Sequence, residues 1–306
     1  MVYTDLASLV RLQHEARDFS FLPRQPVHSI LSGKHASRLR GRGMDFEEVR
    51  QYAPGDDVRT IDWKVTARTR DPHTKVYNEE RERPVLIIVD QSSSMFFGSQ
   101  VSMKSVTAAE VAALGAWRVL SQTDRVGGIV FGNGSIVETK PRRSQKTVVE
   151  FLQKIVTMNA KLEPGLSYGE GLLNRALHRA ARLAHHDFLI LPVSDFSQAD
   201  DETIKLLVKM SQHNDVVAVH ISDPMERSLP AGRIVLSDGH QQITADARHS
   251  DLRDRYAEDF DQHVALLVDK LRGYGIPLLR IDTVHPIGRQ VRDQLGRRTT
   301  TSRRVR

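Results

Sequence analysis

Val85-Leu86-Ile87-Ile88-Val89-Asp90-Gln91-Ser92-Ser93-Ser94-Met95 is the stretch on which the fold turns. An unbroken apolar run ends in an acid, and two hydroxyls follow at alternate positions. A short continuous apolar run suits a central strand of a parallel sheet, covered on both faces. In open α/β sheets ligands bind beyond the carboxyl ends of the strands, where Asp90 emerges. A carboxylate and two hydroxyls on one tight turn offer only oxygen, the ligand set of a hard cation such as Mg²⁺, Ca²⁺ or Mn²⁺. The same residues also suit an ordinary strand-to-helix loop with serine as the cap. Alone, the stretch leaves both readings open.

Working outward, apolar runs at Val85–Val89, Val126–Phe131, Phe188–Val193, Val216–Ile221 and Leu278–Ile281 read as strands. Between them Val106, Ala109, Ala113, Trp117 and Leu120 recur at spacings of three and four, one face of an amphipathic helix. Leu173, Leu177, Ala180 and Ala184 repeat the pattern, as do Ile204, Leu207, Val208 and Met210, and a long final helix covers Tyr256 to Leu271. Strands alternating with helices predict an α/β fold with a doubly wound, mainly parallel sheet. Asp238-Gly239 between Arg233–Ser237 and His240–Thr244 predicts an inserted β-hairpin with a two-residue turn. At the N-terminus a helix is expected from Thr4 to Phe19, with Leu6, Leu9, Val10 and Leu12 facing inward.

The composition, 40% hydrophobic and 27% charged over 306 residues, is that of a globular protein with ample sequence for a buried core. No apolar stretch reaches the roughly 18 residues of a membrane-spanning helix, and no secretory signal is visible. With no cysteine, disulfides, thiolate metal sites and cysteine nucleophiles are excluded. A cytoplasmic location is expected. The net charge of +6 is concentrated between Gly288 and Arg306, where seven arginines face one acid, Asp293. That distribution reads as a solvated tail and not as a nucleic-acid interface.

A second signature lies upstream. Pro54-Gly55-Asp56-Asp57 reads as a turn, proline presetting φ and glycine admitting φ > 0. Around it Arg59 and Arg68 could bridge carboxylates bidentately, and Trp63 is the natural apolar anchor. The full run Arg50-Gln51-Tyr52-Ala53-Pro54-Gly55-Asp56-Asp57-Val58-Arg59-Thr60-Ile61-Asp62-Trp63, followed by Ala67-Arg68, resembles the hallmark of a bacterial domain-of-unknown-function family, number fifty-eight. The resemblance continues through Glu79-Glu80-Arg81-Glu82, the Asp90 stretch, Asp124-Arg125-Val126-Gly127, Ser194-Asp195-Phe196 and Asp223-Pro224. Members of that family carry a von Willebrand factor A-like domain and are associated with MoxR-type AAA+ ATPases.

The resemblance implies a metal-ion-dependent adhesion site built from three sheet-top loops. Asp90, Ser92 and Ser94 match the first loop, Ser167 stands where the second normally supplies threonine, and Asp195 matches the third. One Mg²⁺, or Mn²⁺ or Ca²⁺, would be held with an open position for water or a partner's carboxylate. Asp195 could instead cap the following helix. The expected organisation is residues 1–82 as a helix and charged segment packing on the main domain, 83–285 as the von Willebrand factor A-like domain, and 286–306 as a basic tail. The expected function is non-catalytic: a metal-dependent protein-binding adaptor working with a MoxR-type ATPase or its client. The alternative is a Mg²⁺-dependent phosphohydrolase using Asp90 as nucleophile. Against it, such enzymes typically need a second aspartate two residues on, where this chain has Ser92, and no phosphate loop or nucleophile elbow is present.

Overall fold

The computed structural model describes residues 1–16, 44–79, 83–166, 169, 171–237 and 242–296. The chain divides into two compact units, Met1–Ile30 with Arg83–Arg306, and Leu31–Glu82. A short helix, α1 (Leu6–Arg11), opens the larger unit, with Asp5 as its cap; it ends earlier than the spacing predicts, continuing as a 3-10 turn over Leu12–His14.

The smaller unit is an antiparallel pair, β1 (Met44–Gln51) and β2 (His73–Glu79), joined through α2 (Trp63–Thr69). Asp62 caps α2 by accepting from the amides of Lys64 and Val65, and also pairs with Lys75. The predicted turn is closed by polar contacts. Asp56 accepts from the Ala53 amide at 2.9 Å and from Arg50 at 2.7 Å, and Gly55 takes a φ of +107°. Trp63 does not anchor it: at the first position of α2 its side chain is 71% exposed. A turn whose donors and acceptors satisfy one another needs no ring beneath it. Among the described residues the ion pairs of this unit run from Arg50 and Lys75, not from Arg59 or Arg68.

The larger unit continues with β3 (Val85–Asp90), α3 (Lys104–Ser121), β4 (Val126–Gly132), β5 (Ser135–Arg142), α4 (Gln145–Asn159), α5 (Leu172–Leu183), β6 (Leu189–Ser194), α6 (Asp201–Ser211) and β7 (Asp215–Val216). Then come β8 (Ala218–Ser222), α7 (Pro224–Arg227), β9 (Arg233–Ser237), β10 (Gln242–Asp246), α8 (Ser250–Arg272), β11 (Leu278–Asp282) and α9 (Ile287–Gly296). The sheet order is β11-β8-β6-β3-β4-β5, with β7 beside β6, and only β5 runs antiparallel. The doubly wound, mainly parallel α/β fold expected from the sequence is the one observed. Val85, Ile87 and Val89 face a core shared with α1, α3, α4 and α9, while Leu86 and Ile88 face one shared with α5, α6 and α8. Burial of alternate residues on opposite layers explains why the run is apolar throughout.

Three elements depart from the sequence reading. The antiparallel strand β5 was not among the expected strands; its signal is Asn133-Gly134, both at positive φ, in a two-residue hairpin with Gly132 opposite Ser135. In the inserted hairpin, by contrast, Ser237 pairs with Gln242, where a two-residue turn would set it opposite His240. Its connection lies outside the described residues. The tail expected from residue 286 is helical as far as Gly296: Ile287 and Val291 are buried and Leu295 packs beside them. Spacing of four places these three on one face and leaves Arg289 and Arg292 off it.

Candidate metal centre

The sheet reverses its winding direction between β3 and β6; at that switch point β3 ends in an acid and β6 is followed by one. Ligands in open α/β sheets bind in this crevice. β3 delivers Asp90 directly. One residue past β6, Asp195 emerges beside it, because Ser194 is aligned with the end of β3 and donates its hydroxyl to Asp90 Oδ2 at 2.6 Å. The Ser194 Oγ also accepts from the Phe196 amide at 3.0 Å. Phe196 is fully buried with a φ of +53°, an unfavourable conformation for a bulky residue that its surroundings must hold. The loop after Asp195 is therefore fixed.

The serines are not helix caps. Ser92 precedes a single 3-10 turn, Ser93–Met95, without making a capping bond, and α3 begins only at Lys104. The Ser92 amide donates to Asp90 Oδ1 at 2.9 Å, and the Ser92 and Ser94 hydroxyls lie 3.1 Å apart. That is close to the roughly 3 Å between adjacent oxygens of an octahedron with Mg²⁺–O distances of about 2.1 Å. Asp195 does not cap α6 either: Asp200 does, in a capping box with Thr203, while Asp195 accepts from the Ser197 amide. The oxygens of Asp90, Ser92, Ser94 and Asp195 thus fit a hard divalent cation. Ser167 lies outside the described residues. Among the described residues no group of three acids or histidines is placed to hold a metal ion, so the candidate donors here are two carboxylates and two hydroxyls.

The electrostatics distinguish the two acids. Burial, then the adjacent charge of Asp195, pushes Asp90 above the usual carboxylate range. Burial acts on Asp195 in the same sense, but the Lys104 ammonium overrides it and holds Asp195 low. Lys104 Nζ donates to Asp195 Oδ2 at 2.8 Å and also to Glu226 Oε1. Sequence reasoning missed both Lys104 and Glu226. One signal was present: a lysine opening a helix opposes the helix dipole and calls for acidic partners. The acids ending the neighbouring strands have other work. Asp223 caps α7 and accepts from Ser99 and Thr283, and Asp282 accepts from the amides of Val284 and His285.

The site loop is also tied from behind. Gln91 is fully buried; its Nε2 donates to the Ser105 carbonyl and its Oε1 accepts from Asn159 Nδ2, both at 2.9 Å. Asn159 Oδ1 accepts from the Thr4 amide at 2.9 Å. Gly132 passes close to this loop, and a Cβ there would stand 1.9 Å from the Gln91 carbonyl oxygen.

The chain belongs to the family described as "Protein of unknown function DUF58", which matches residues 48–265. It is 28% identical over 276 residues to an uncharacterized protein of Mycobacterium tuberculosis, covering 89% of this chain and 85% of that one, and equally to one of Mycobacterium bovis. Among solved structures it is similar to the conserved hypothetical protein BatB of Bacteroides thetaiotaomicron, at 14% identity and a TM-score of 0.39, covering 70% of this chain and 99% of that one. It is similar also to the SpRpn10 VWA domain, at 11% identity and a TM-score of 0.38, covering 70% and 95%. Among the described residues no helix is long and apolar enough to cross a membrane.

Proposed function

We propose that the larger unit is a non-catalytic, metal-dependent protein-binding module. The observation that carries this reading is the convergence of Asp90, Ser92, Ser94 and Asp195 at the switch point of the sheet, with the serine hydroxyls spaced as adjacent ligands. Mg²⁺ is the natural occupant, with Mn²⁺ or Ca²⁺ as substitutes, and Ser167 belongs to the proposed ligand set by the family resemblance. The cation would supply a Lewis-acidic coordination position for a partner's ligand. Asp90 and Asp195 would be its carboxylate ligands, and an acidic side chain of a partner would complete its shell. At the centre of a desolvated interface, removing one partner of such a charge-assisted contact costs on the order of 2–5 kcal/mol. The family resemblance supplies the proposed partner, a MoxR-type AAA+ ATPase or its client.

The test measures binding to a MoxR-type ATPase with and without chelator, for wild type and Asp90→Ala. Both perturbations should weaken the complex at least tenfold while leaving the circular dichroism spectrum unchanged. Undiminished affinity under both would overturn the metal bridge. Mg²⁺-dependent turnover of a phosphomonoester, lost in Asp90→Ala, would favour the phosphohydrolase instead; the engagement of both Asp90 oxygens by Ser92 and Ser194 argues for the binding role.

A further inference from the structure

Lys104 is the least expected residue of the site. Its side chain is only 3% exposed, its nitrogen bridges Asp195 and Glu226, and the ring of Phe97 lies 5.8 Å away. Two of these contacts differ in kind. Asp195 is sealed and is also a proposed metal ligand, whereas Glu226 is 24% exposed. Glu226 is held independently of the metal site, because its Oε2 accepts from the Asp223 amide at 2.8 Å within the capping box of α7. It therefore offers the ammonium a fixed alternative seat.

The charges count in the same direction. With Asp90 ionised, as a bound cation requires, Asp90, Asp195 and Glu226 carry three negative charges against one positive on Lys104, leaving a deficit of two that a single divalent cation balances. Buried charges are tolerated when they are paired in this way. A cation seated on Asp90 and the serines must nevertheless share Asp195 with an ammonium already in contact with it.

We propose that Lys104 is a tethered internal cation that competes with the divalent ion for Asp195 and so sets its affinity, with Glu226 as the counter-anchor that draws the ammonium away. This inference rests on the metal reading of the Asp90 site. It makes Lys104 a positioning residue: with Lys104 on Asp195 the site binds cations weakly, and with Lys104 on Glu226 it binds them tightly. Occupancy by the metal is then coupled to the position of α7.

The experiment is Mg²⁺ calorimetry on the full chain for wild type, Lys104→Met, Glu226→Gln, the double variant and Asp90→Ala, with the fold of each checked by circular dichroism. Removing a unit charge a few ångströms from the ion should tighten Mg²⁺ binding tenfold to a hundredfold, as an order-of-magnitude expectation, in Lys104→Met. Glu226→Gln should weaken it several-fold, because the ammonium is left to Asp195. In the Lys104→Met background the same glutamate change should have a clearly smaller effect, since only the direct field of Glu226 is left once Lys104 is gone. Should Lys104→Met fail to fold, the double variant, which removes both charges, must still bind Mg²⁺ more tightly than wild type. Unchanged or weaker binding in Lys104→Met and in the double variant, with Asp90→Ala silent, would overturn the competition and leave the metal site standing. An equal effect of Glu226→Gln in both backgrounds would overturn the counter-anchor. Absence of binding in every variant would sink the metal reading and this inference with it.

Discussion

Asn159→Ala probes the polar relay behind the site loop. Asn159, at the end of α4, is fully buried; it donates to Gln91 Oε1 and accepts from the Thr4 amide, each at 2.9 Å. Truncation orphans two buried groups, the side-chain Oε1 of Gln91 and the Thr4 N–H. A buried polar group left without its partner costs about 1–3 kcal/mol, so the expected loss for two is about 2–6 kcal/mol. For a unit of about 250 residues that corresponds to a fall in Tm of about 4–12 °C. Urea denaturation followed by tryptophan fluorescence gives the free energy, and hydrogen exchange at the Thr4 amide reports whether the N-terminal segment has been released. Gln153→Ala, an exposed change on the same helix, is the control and should stay within about 0.5 kcal/mol of wild type. A loss below about 0.5 kcal/mol in Asn159→Ala would refute the reasoning, because it would mean that the two groups are satisfied without Asn159. A normal loss of stability with the Thr4 amide still protected would refute only the link to the N-terminal segment.

Glu110 on α3 is pushed up to about 7, first by burial and then by the charge of Glu15. A carboxyl raised above its ordinary 4.5 contributes stability that is fully present below about pH 4.5 and is lost as pH rises through 7. Glu110→Gln should therefore flatten the stability profile between those values and be more stable than wild type at pH 8, by on the order of 2 kcal/mol after allowing for partial exposure; parallel pH profiles would refute this. Gly132→Ala places a Cβ 1.9 Å from the Gln91 carbonyl oxygen, so the end of β4 and the site loop must part. It should lower Tm and weaken Mg²⁺ binding together, whereas an unaltered Mg²⁺ isotherm in a folded variant would disconnect Gly132 from the site. Trp117→Phe removes the indole hydrogen bond to the Leu9 carbonyl, 3.0 Å in length, and should cost about 1–3 kcal/mol in urea denaturation; a neutral effect would show that α1 does not depend on it.

What the sequence determined was local and periodic. Val85–Val89 announced a doubly covered strand because residues facing opposite layers must all be apolar, and the helical spacings of α3, α5, α6 and α8 followed from the same need to bury one face. An acid at or just past the end of β3, β6, β8 and β11, at Asp90, Asp195, Asp223 and Asp282, was legible too. Their division of labour was not. Only the tertiary structure decided that Asp223 and Asp282 are spent on caps and turns while Asp90 and Asp195 meet at the switch point. It alone brought Lys104 to Asp195 and Glu226, partners 91 and 122 residues away, and linked Gln91 through Asn159 to Thr4. The helix over Ile287–Gly296 was open to reading from its apolar spacing but was outweighed by its arginines, since net charge reports on solvation and not on which face a helix buries. Periodicity is set by neighbours along the chain. A buried charge is set by whatever the strand order places opposite it, and that order exists only once the sheet has closed around β3.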